Sequence, residues 1–383
     1  MVGNNQGHGI QIIGPASTGN EVLGNFIGID VTGNVGAGNL QHGIYANSAP
    51  SVQVGAMVTD THNIVSGNGM DGLHLESQNS QILGNYIGVD ANATTPIPNL
   101  GQGIAVDDGV TNSVESNLVS GNGGNGVFIS DDSAGTVVTG NFIGTDVWLV
   151  SPLGNGGHGV AIEGHGTSVE ANGILFNGAA GVAVVGDSAV SNLISGNAMF
   201  GNTMLGIDLG ADGVTVNDPG DPDDGPNHLQ NYPMLTSVDL EPLSTTISGT
   251  LDTAPGVYTV AVYGNVACHP SEHGEGMIPL TTLNVTVGAV PASFEVTIPG
   301  TLTDLTFSTT ATDAQDNTSE FSKCLALACD VNHDFAINMV DVQSVAGAWG
   351  QNPAPPAYDL VEDGVIDVLD VIAVSQCWLY ATQ

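Results

Sequence analysis

"GNFIGID" (residues 24–30) returns as "GNYIGVD" (84–90) and "GNFIGTD" (140–146), 60 and then 56 positions further on. Repetition at a near-fixed period is the signature of a stacked architecture. Two more phrases recur around it. "NIVSGN" (63–68), "NLVSGN" (117–122) and "NLISGN" (192–197) share one order of Asn, aliphatic pair and Gly-Asn. "GIQI" at 9, "GIYA" at 43, "GLHL" at 72, "GIAV" at 103, "GVFI" at 126, "GVAI" at 159, "GVAV" at 181 and "GIDL" at 206 open successive units. These openings lie 34, 29, 31, 23, 33, 22 and 25 residues apart, so the unit is about 22–25 residues and some units carry an insertion after "GNFIGxD".

The words are short, alternate with period two, favour Ile and Val, and are broken by Gly and Asn. That is strand grammar; each interior Gly would cost a helix roughly 1 kcal/mol. Stacked parallel strands bury the alternating face and need tight Gly/Asn corners. Asn at one place in every coil is expected to stack into a hydrogen-bonded ladder. Residues 9 to about 215 should therefore form eight coils. Ile10, Ile44, Leu73, Ile104, Val127, Val160, Val182 and Ile207 should share one interior column.

The "NxIxGN" corners and the closing "GIDLGADGVTVNDPGDPDDGPNHLQNYPML" resemble the right-handed parallel β-helix proteins of the pectate-lyase-like superfamily, as found in secreted bacterial proteins. The resemblance covers residues 1–232 and implies a mainly β fold. It implies little chemistry, because this scaffold hosts lyases, hydrolases, epimerases, adhesins and structural proteins alike.

Charge narrows the classes. The 383 residues carry 39 Asp and Glu against one basic residue, Lys323, for a formal charge of −38. Such a chain repels nucleic acid and anionic membranes, and it favours calcium-rich or salty extracellular surroundings. No stretch is long and apolar enough for membrane insertion. "MVGNNQGHGI" lacks an export signal and reads as mid-coil, so the expectation is a secreted or surface protein whose signal lies outside this sequence.

Beyond Pro233 the grammar changes. "TTISGTLDT", "VYTVAVYG", "TTLNVTVGA", "ASFEVTIPG" and "LTFSTTATD" alternate between turns, which suggests an antiparallel β-sandwich over 233–328. With "ACHPSEHGEG" and "DNTSEFSKC" it resembles the Ig-like modules that follow these β-helices. Cys268 and Cys324 fall within those phrases and are expected to pair, which suits export. In 329–383, Asp330, Asn332, Asp334, Asn338 and Asp341 stand at positions 1, 3, 5, 9 and 12 of a calcium loop, with the Ala336 carbonyl at 7. Asp359, Asp363, Asp367 and Asp370 repeat positions 1, 5, 9 and 12, with Val365 at 7. This spacing wraps oxygens around Ca²⁺, and an apolar helical stretch follows each loop. The doubled unit resembles a type I dockerin, which implies a cohesin-like protein partner. Phe335 replaces the first loop's turn Gly and Val361 a ligand of the second, so one good and one weakened site are expected. Cys329 and Cys377 flank the module and are placed to clasp it; spacing alone does not fix that pairing.

On the β-helix, the fourth residue after each opening Gly gives Ile13, Asn47, Glu76, Asp107, Ser130, Glu163 and Val185. The next positions add Asp108, Asp131, Asp132, His165 and Asp187. With strands ~4.8 Å apart, these carboxylates should line one edge and share protons, bind cations or serve acid–base work. Solvated turn residues are the alternative. "VDDG" (106–109), "SDDS" (130–133) and "EGHG" (163–166) resemble the paired Asp and "GHG" phrases of polygalacturonase-like hydrolases. That resemblance implies Asp107, Asp108, Asp131, Asp132 and His165 as acid–base groups; Glu76 and Glu163 of the column, and Trp148 in the insertion after Asp146, are the candidates to meet the sugar. "GHG" also occurs at 7–9 and 157–159, where His8 and His158, like His42, precede an opening Gly as repeat grammar. No Arg is present to grip a uronate or act as a lyase base. The preferred reading is a β-solenoid scaffold or adhesin that binds polysaccharide or matrix glycan. A secreted glycoside hydrolase and an end-to-end self-assembling structural protein are the alternatives.

Overall fold

The computed structural model describes residues 1–381 apart from 59–60, 290, 304, 326, 328, 333–336, 352–353, 356 and 362. It divides into two compact units, Met1–Asn231 with Ala311–Glu320, and Tyr232–Thr310 with Phe321–Gln383.

In the first unit, three parallel sheets of eight, seven and seven strands form the walls of a β-helix. Each coil contributes to the walls in turn. The first coil gives Ile10–Ile13, Glu21–Val22 and Phe26–Ile27, and the third gives Leu73–Glu76, Gln81–Leu83 and Tyr86–Ile87. The expected interior column is the register of the first sheet: Ile10, Ile44, Leu73, Ile104, Val127, Val160, Val182 and Ile207 are Cα partners in sequence. From Ile44 onward each is essentially inaccessible to solvent.

The opening heptapeptide is a third-sheet strand and its corner. Gly28, Gly88 and Gly144 turn the chain at φ 75°, 87° and 81°, and a Cβ there would lie 2.1–2.3 Å from a carbonyl oxygen of the next coil. Only glycine meets both conditions. "NIVSGN" and "NLVSGN" occupy the same wall one coil on, with Ile64 pairing to Tyr86 and Leu118 to Phe142. "NLISGN" does not. Its Leu193–Ser195 strand lies in the second sheet, so the same words serve two walls.

Two buried Asn ladders run through the corners. Asn25, Asn63, Asn85, Asn117, Asn141, Asn172 and Asn197 form one, with each side-chain amide on the next Oδ1 at 2.8–3.2 Å. Asn5, Asn39, Asn68, Asn99, Asn122, Asn155, Asn177 and Asn202 form the other at 2.7–3.0 Å. The Oδ1 atoms also take backbone amides, as Asn141 does from Asn117 N at 2.9 Å. Buried corner amides thus find partners without charge.

The three insertions are self-closed loops. Asp30 Oδ1 accepts the amides of Thr32, Asn34 and Val35; Asp90 and Asp146 repeat the arrangement with Thr94 and Thr95, and with Trp148, Val150 and Ser151. The first two loops touch through Ala91 N–Gly33 O at 2.8 Å.

The last coil is closed by the short returning segment. Ser191 N donates to Asn317 Oδ1 at 2.7 Å, Ile194 N to Thr318 Oγ1 at 3.0 Å, and Leu209 N to Glu320 Oε1 at 3.0 Å. Asn192 N reaches Asn227 Oδ1 at 3.0 Å, and Thr215 N reaches Glu320 Oε2 at 2.9 Å. Part of "DNTSEFSKC" therefore belongs to the first unit.

The second unit holds two three-stranded sheets. All five expected strands are present, and Met234–Glu241, which the alternation did not single out, adds a sixth. Ile247, Val262, Ile298 and Phe307 pack between the sheets. Helices α1 (Met339–Gly347) and α2 (Val368–Ala381) follow the two acidic loops. Cys268–Cys324 and Cys329–Cys377 are disulfide-bonded. No described helix is long and apolar enough to cross a membrane.

Candidate functional site

The carboxylate column lies along the end of the first sheet. Asn47 pairs with Glu76, and the amides of Asp107, Ser130, Glu163 and Val185 each bond the carbonyl of the preceding coil. Glu76, Asp107 and Glu163 are half-buried; Asp108, Asp131, Asp132 and His165 are exposed. Burial, then the charges of Asp131 and Asp107, pushes the Glu163 carboxyl above its ordinary range. Glu76, Asp107, Asp131 and Glu163 thus form a real neighbourhood. Asp108 turns the backbone at φ 49° and, with Glu76, lines a separate hollow. His165 makes no ion pair with these groups among the described residues.

A denser cluster stands at the head of the same edge. Tyr45 and His74 are register partners pointing outward. Asp71 Oδ2 lies 2.9 Å from His74 Nδ1 and 3.1 Å from His42 Nδ1. On its far side, His74 Nε2 is 3.4 Å from Glu76 Oε1 and 3.8 Å from Asp107 Oδ2. Tyr45 donates to Glu76 Oε1 at 2.9 Å, and the Asn47 side chain donates to Glu76 Oε2. The His8 ring stacks on His42 and Tyr45, with centroids 5.2 and 4.6 Å away. Burial alone would raise the Asp71 carboxyl. The imidazoles of His42 and His74 and the Gln102 amide outweigh it and hold the group well below the carboxylate range. Burial likewise opposes charge on His74, but Asp71, Asp107 and Glu76 raise its pKa. His42 was expected to be repeat grammar alone, and its neighbours one coil on make it more than that. Reading down the residues before each opening Gly (His8, His42, Asp71, Gln102, Asn125, His158) would have exposed the cluster.

The outer face of the third sheet carries an apolar hollow of about 280 Å³ lined by Met57, His62, Tyr86, Leu118, Phe142 and Val147, among others. Tyr86, Leu118 and Phe142 are successive register partners, and the His62 ring lies 4.9 Å from Tyr86. Val147 comes from the third insertion, whose next residue, Trp148, is 77% exposed.

In the C-terminal loops, Asp341 and Asp370 are fully buried and Asp330 nearly so. Asp341 accepts the amides of Asn332 (3.4 Å) and Asn338 (2.8 Å), and Asp370 those of Val361 (3.1 Å) and Asp367 (2.9 Å). Asp359 accepts the amides of Asp363 and Gly364 at 3.1 and 2.9 Å. Asn338 and Asp367 each cap the following helix, on Val340 N and Leu369 N. Buried carboxylates in a segment without Lys or Arg fit a bound cation. Asp334, Phe335 and Ala336 lie outside the described residues; Val365 has a hydrocarbon side chain, so only its carbonyl could contribute.

No family profile matches this chain, and no curated protein does. Among solved structures, it is similar to the enzymatically active domain of tailspike protein 2 of bacteriophage CBA120, with 9% identity over 78% of this chain and a TM-score of 0.22. The match spans 59% of that chain's length, and a likeness so slight carries no argument about what this protein does.

Proposed function

We propose that this chain is an exported β-helix scaffold that binds neutral polysaccharide along the outer face of its third sheet. The observation that carries this reading is the hollow around Tyr86 and Phe142 with Trp148 beside it. Flat aromatic faces held on stacked strands suit sugar rings, and such anchors dominate binding where they occur. A formal charge of −38 without a nearby Arg or Lys disfavours uronates and sulfated glycans. Two disulfides agree with an oxidising extracellular location. The C-terminal loops would attach the scaffold, with Asp330, Asn332, Asp341, Asp359, Asp363 and Asp370 around calcium and a cohesin-like protein as partner. Calcium would order the loops by drawing their carboxylates together.

Affinity electrophoresis in neutral glucans or xylans against polygalacturonate tests the binding. Retardation by a neutral glycan, weakened about tenfold in Trp148→Ala or Tyr86→Ala, is expected at ~1–2 kcal/mol per anchor. Equal retardation of parent and both variants removes the groove from the reading. One observation favours a hydrolase as second reading: Glu163 is held above the ordinary carboxyl range beside Asp131 and Asp107, as a general acid requires. Reducing-sugar release that disappears in Glu163→Gln would replace the scaffold with the enzyme.

A further inference from the structure

From His42 to His158, the residue before the opening Gly has one recurrent task, which is to accept the amide of its counterpart in the next coil. Asp71 Oδ1 takes Gln102 N at 2.7 Å, Asn125 Oδ1 takes His158 N at 2.7 Å, and His158 Nδ1 takes Ala180 N at 3.2 Å; Gln102 Oε1 takes Asn125 N. His42 Nδ1 does the same with Asp71 N at 3.2 Å. Only here does the nitrogen also face a carboxylate oxygen, Asp71 Oδ2 at 3.1 Å. Imidazole Nδ1 has a lone pair or a proton, not both. With the lone pair on the amide, it repels Oδ2; with a proton for Oδ2, it abandons the amide. His158 meets no such conflict, because Ala180 and Ala183 stand where Asp71 and His74 stand one coil after His42.

A cation between them replaces the repulsion with attraction by taking one lone pair from each of the three groups, and the Asp71 amide then gives up Nδ1. We propose that His42, Asp71 and His74 bind one divalent transition-metal ion of the zinc class, with Glu76 orienting His74 from behind. One ligand atom from each of the three residues lies within 4.8 Å of the others. The two Nδ1–Oδ2 separations of 2.9 and 3.1 Å are close to the roughly 3.3 Å between ligands of a tetrahedral ion bonded at 2.0–2.1 Å. Two imidazoles and one carboxylate select zinc or its neighbours over calcium or magnesium, which want oxygen. Glu76 lies by His74 Nε2, where a carboxylate fixes the tautomer and strengthens the ligand, and Tyr45 and Asn47 hold Glu76 in turn. The ligands come from two adjacent coils of a rigid stack, His42 from one and Asp71 and His74 from the next, so little ordering remains for the ion to impose. Three protein ligands leave a fourth position for water or for a ligand's oxygen. The site is independent of whether the third-sheet groove binds sugar.

The test is calorimetric titration of the full chain with Zn²⁺ after chelation, in excess Ca²⁺ so that the C-terminal loops are filled. One equivalent per chain is expected, with a melting temperature raised by Zn²⁺. His42→Gln and His74→Ala should lose that equivalent, and Glu76→Gln should weaken it about 10- to 100-fold. His42→Gln keeps an amide acceptor of the kind Gln102 supplies, so it carries the test if His74→Ala fails to fold. His158→Gln, at the same repeat position, should bind as the parent does. Zn²⁺ uptake that is absent in the parent, unchanged in His42→Gln, or lost equally in His158→Gln overturns the proposal.

Discussion

The middle of the β-helix and its last coil solve one problem with different chemistry. In the middle, a buried corner amide meets the Oδ1 of an Asn in the next coil, and that Asn passes its own protons on. At the end no next coil exists. Asn227, Asn317, Thr318 and Glu320 take over, and one of them is a carboxyl buried near Asp208. A neutral ladder gives cooperativity without pH dependence. A carboxyl cap ties the same backbone satisfaction to a proton.

The largest expected effect breaks the middle. Ile104→Asp places a charge between Leu73 and Val127, where Ile104 is wholly buried. Loss of cooperative folding, at a cost above about 4 kcal/mol, should be seen by circular dichroism. A melt within a degree or two of the parent would show the register to be wrong.

Next, Asn141→Ala removes the acceptor of Asn117 N and Asn117 Nδ2 and the donor to Val114 O and Asn172 Oδ1. At about 1–3 kcal/mol per orphaned buried group, urea titration should show a larger loss than for Asn317→Ala, which strips the Ser191 amide of its acceptor and Asp313 of one donor. Equal losses would erase the distinction between ladder and cap.

The third prediction isolates the cap's proton. Burial pushes the Glu320 carboxyl up to about 8, against the pull of the Leu209 and Thr215 amides and with a further push from Asp208. Asp208 is itself raised by burial and by Asp212. Between the ordinary Glu value and about 8, the folded state keeps a proton that the unfolded chain has released. Stability therefore falls as pH rises through that window. Asp208→Asn should flatten the decline of melting temperature between pH 5 and 8, raising it mainly at the alkaline end. Parallel curves for the two proteins would remove the coupling.

The smallest effect is expected for His158→Gln, which exchanges one acceptor of the Ala180 amide for another. A change within about 0.5 kcal/mol is anticipated. A larger loss would mean that the imidazole, held neutral by burial, contributes packing beyond its repeat role.

Interior column and ladders were legible in the sequence because in-register stacking forces the same residue type into the same place in every coil. Legibility failed where one phrase served two walls, as with "NLISGN", and where a segment outside the repeat returned to it, as with Ala311–Glu320. The acidic edge was legible as a column; exposure was not, so Asp132 and His165 looked equal to Glu163. The cluster at His42 escaped for a different reason. Each of its residues fits the repeat grammar individually, and only the vertical neighbours Asp71 and His74 change its chemistry.

The closure of the last coil has a consequence for assembly symmetry. Strand addition from another copy needs free amides, and those of Ser191, Asn192, Ile194 and Leu209 are already engaged by the chain's own Asn317, Asn227, Thr318 and Glu320. A filament grows by a heterologous operator that joins one end to the opposite end and repeats without limit. A stack of that kind running through these four amides would have to displace the chain's own side chains first.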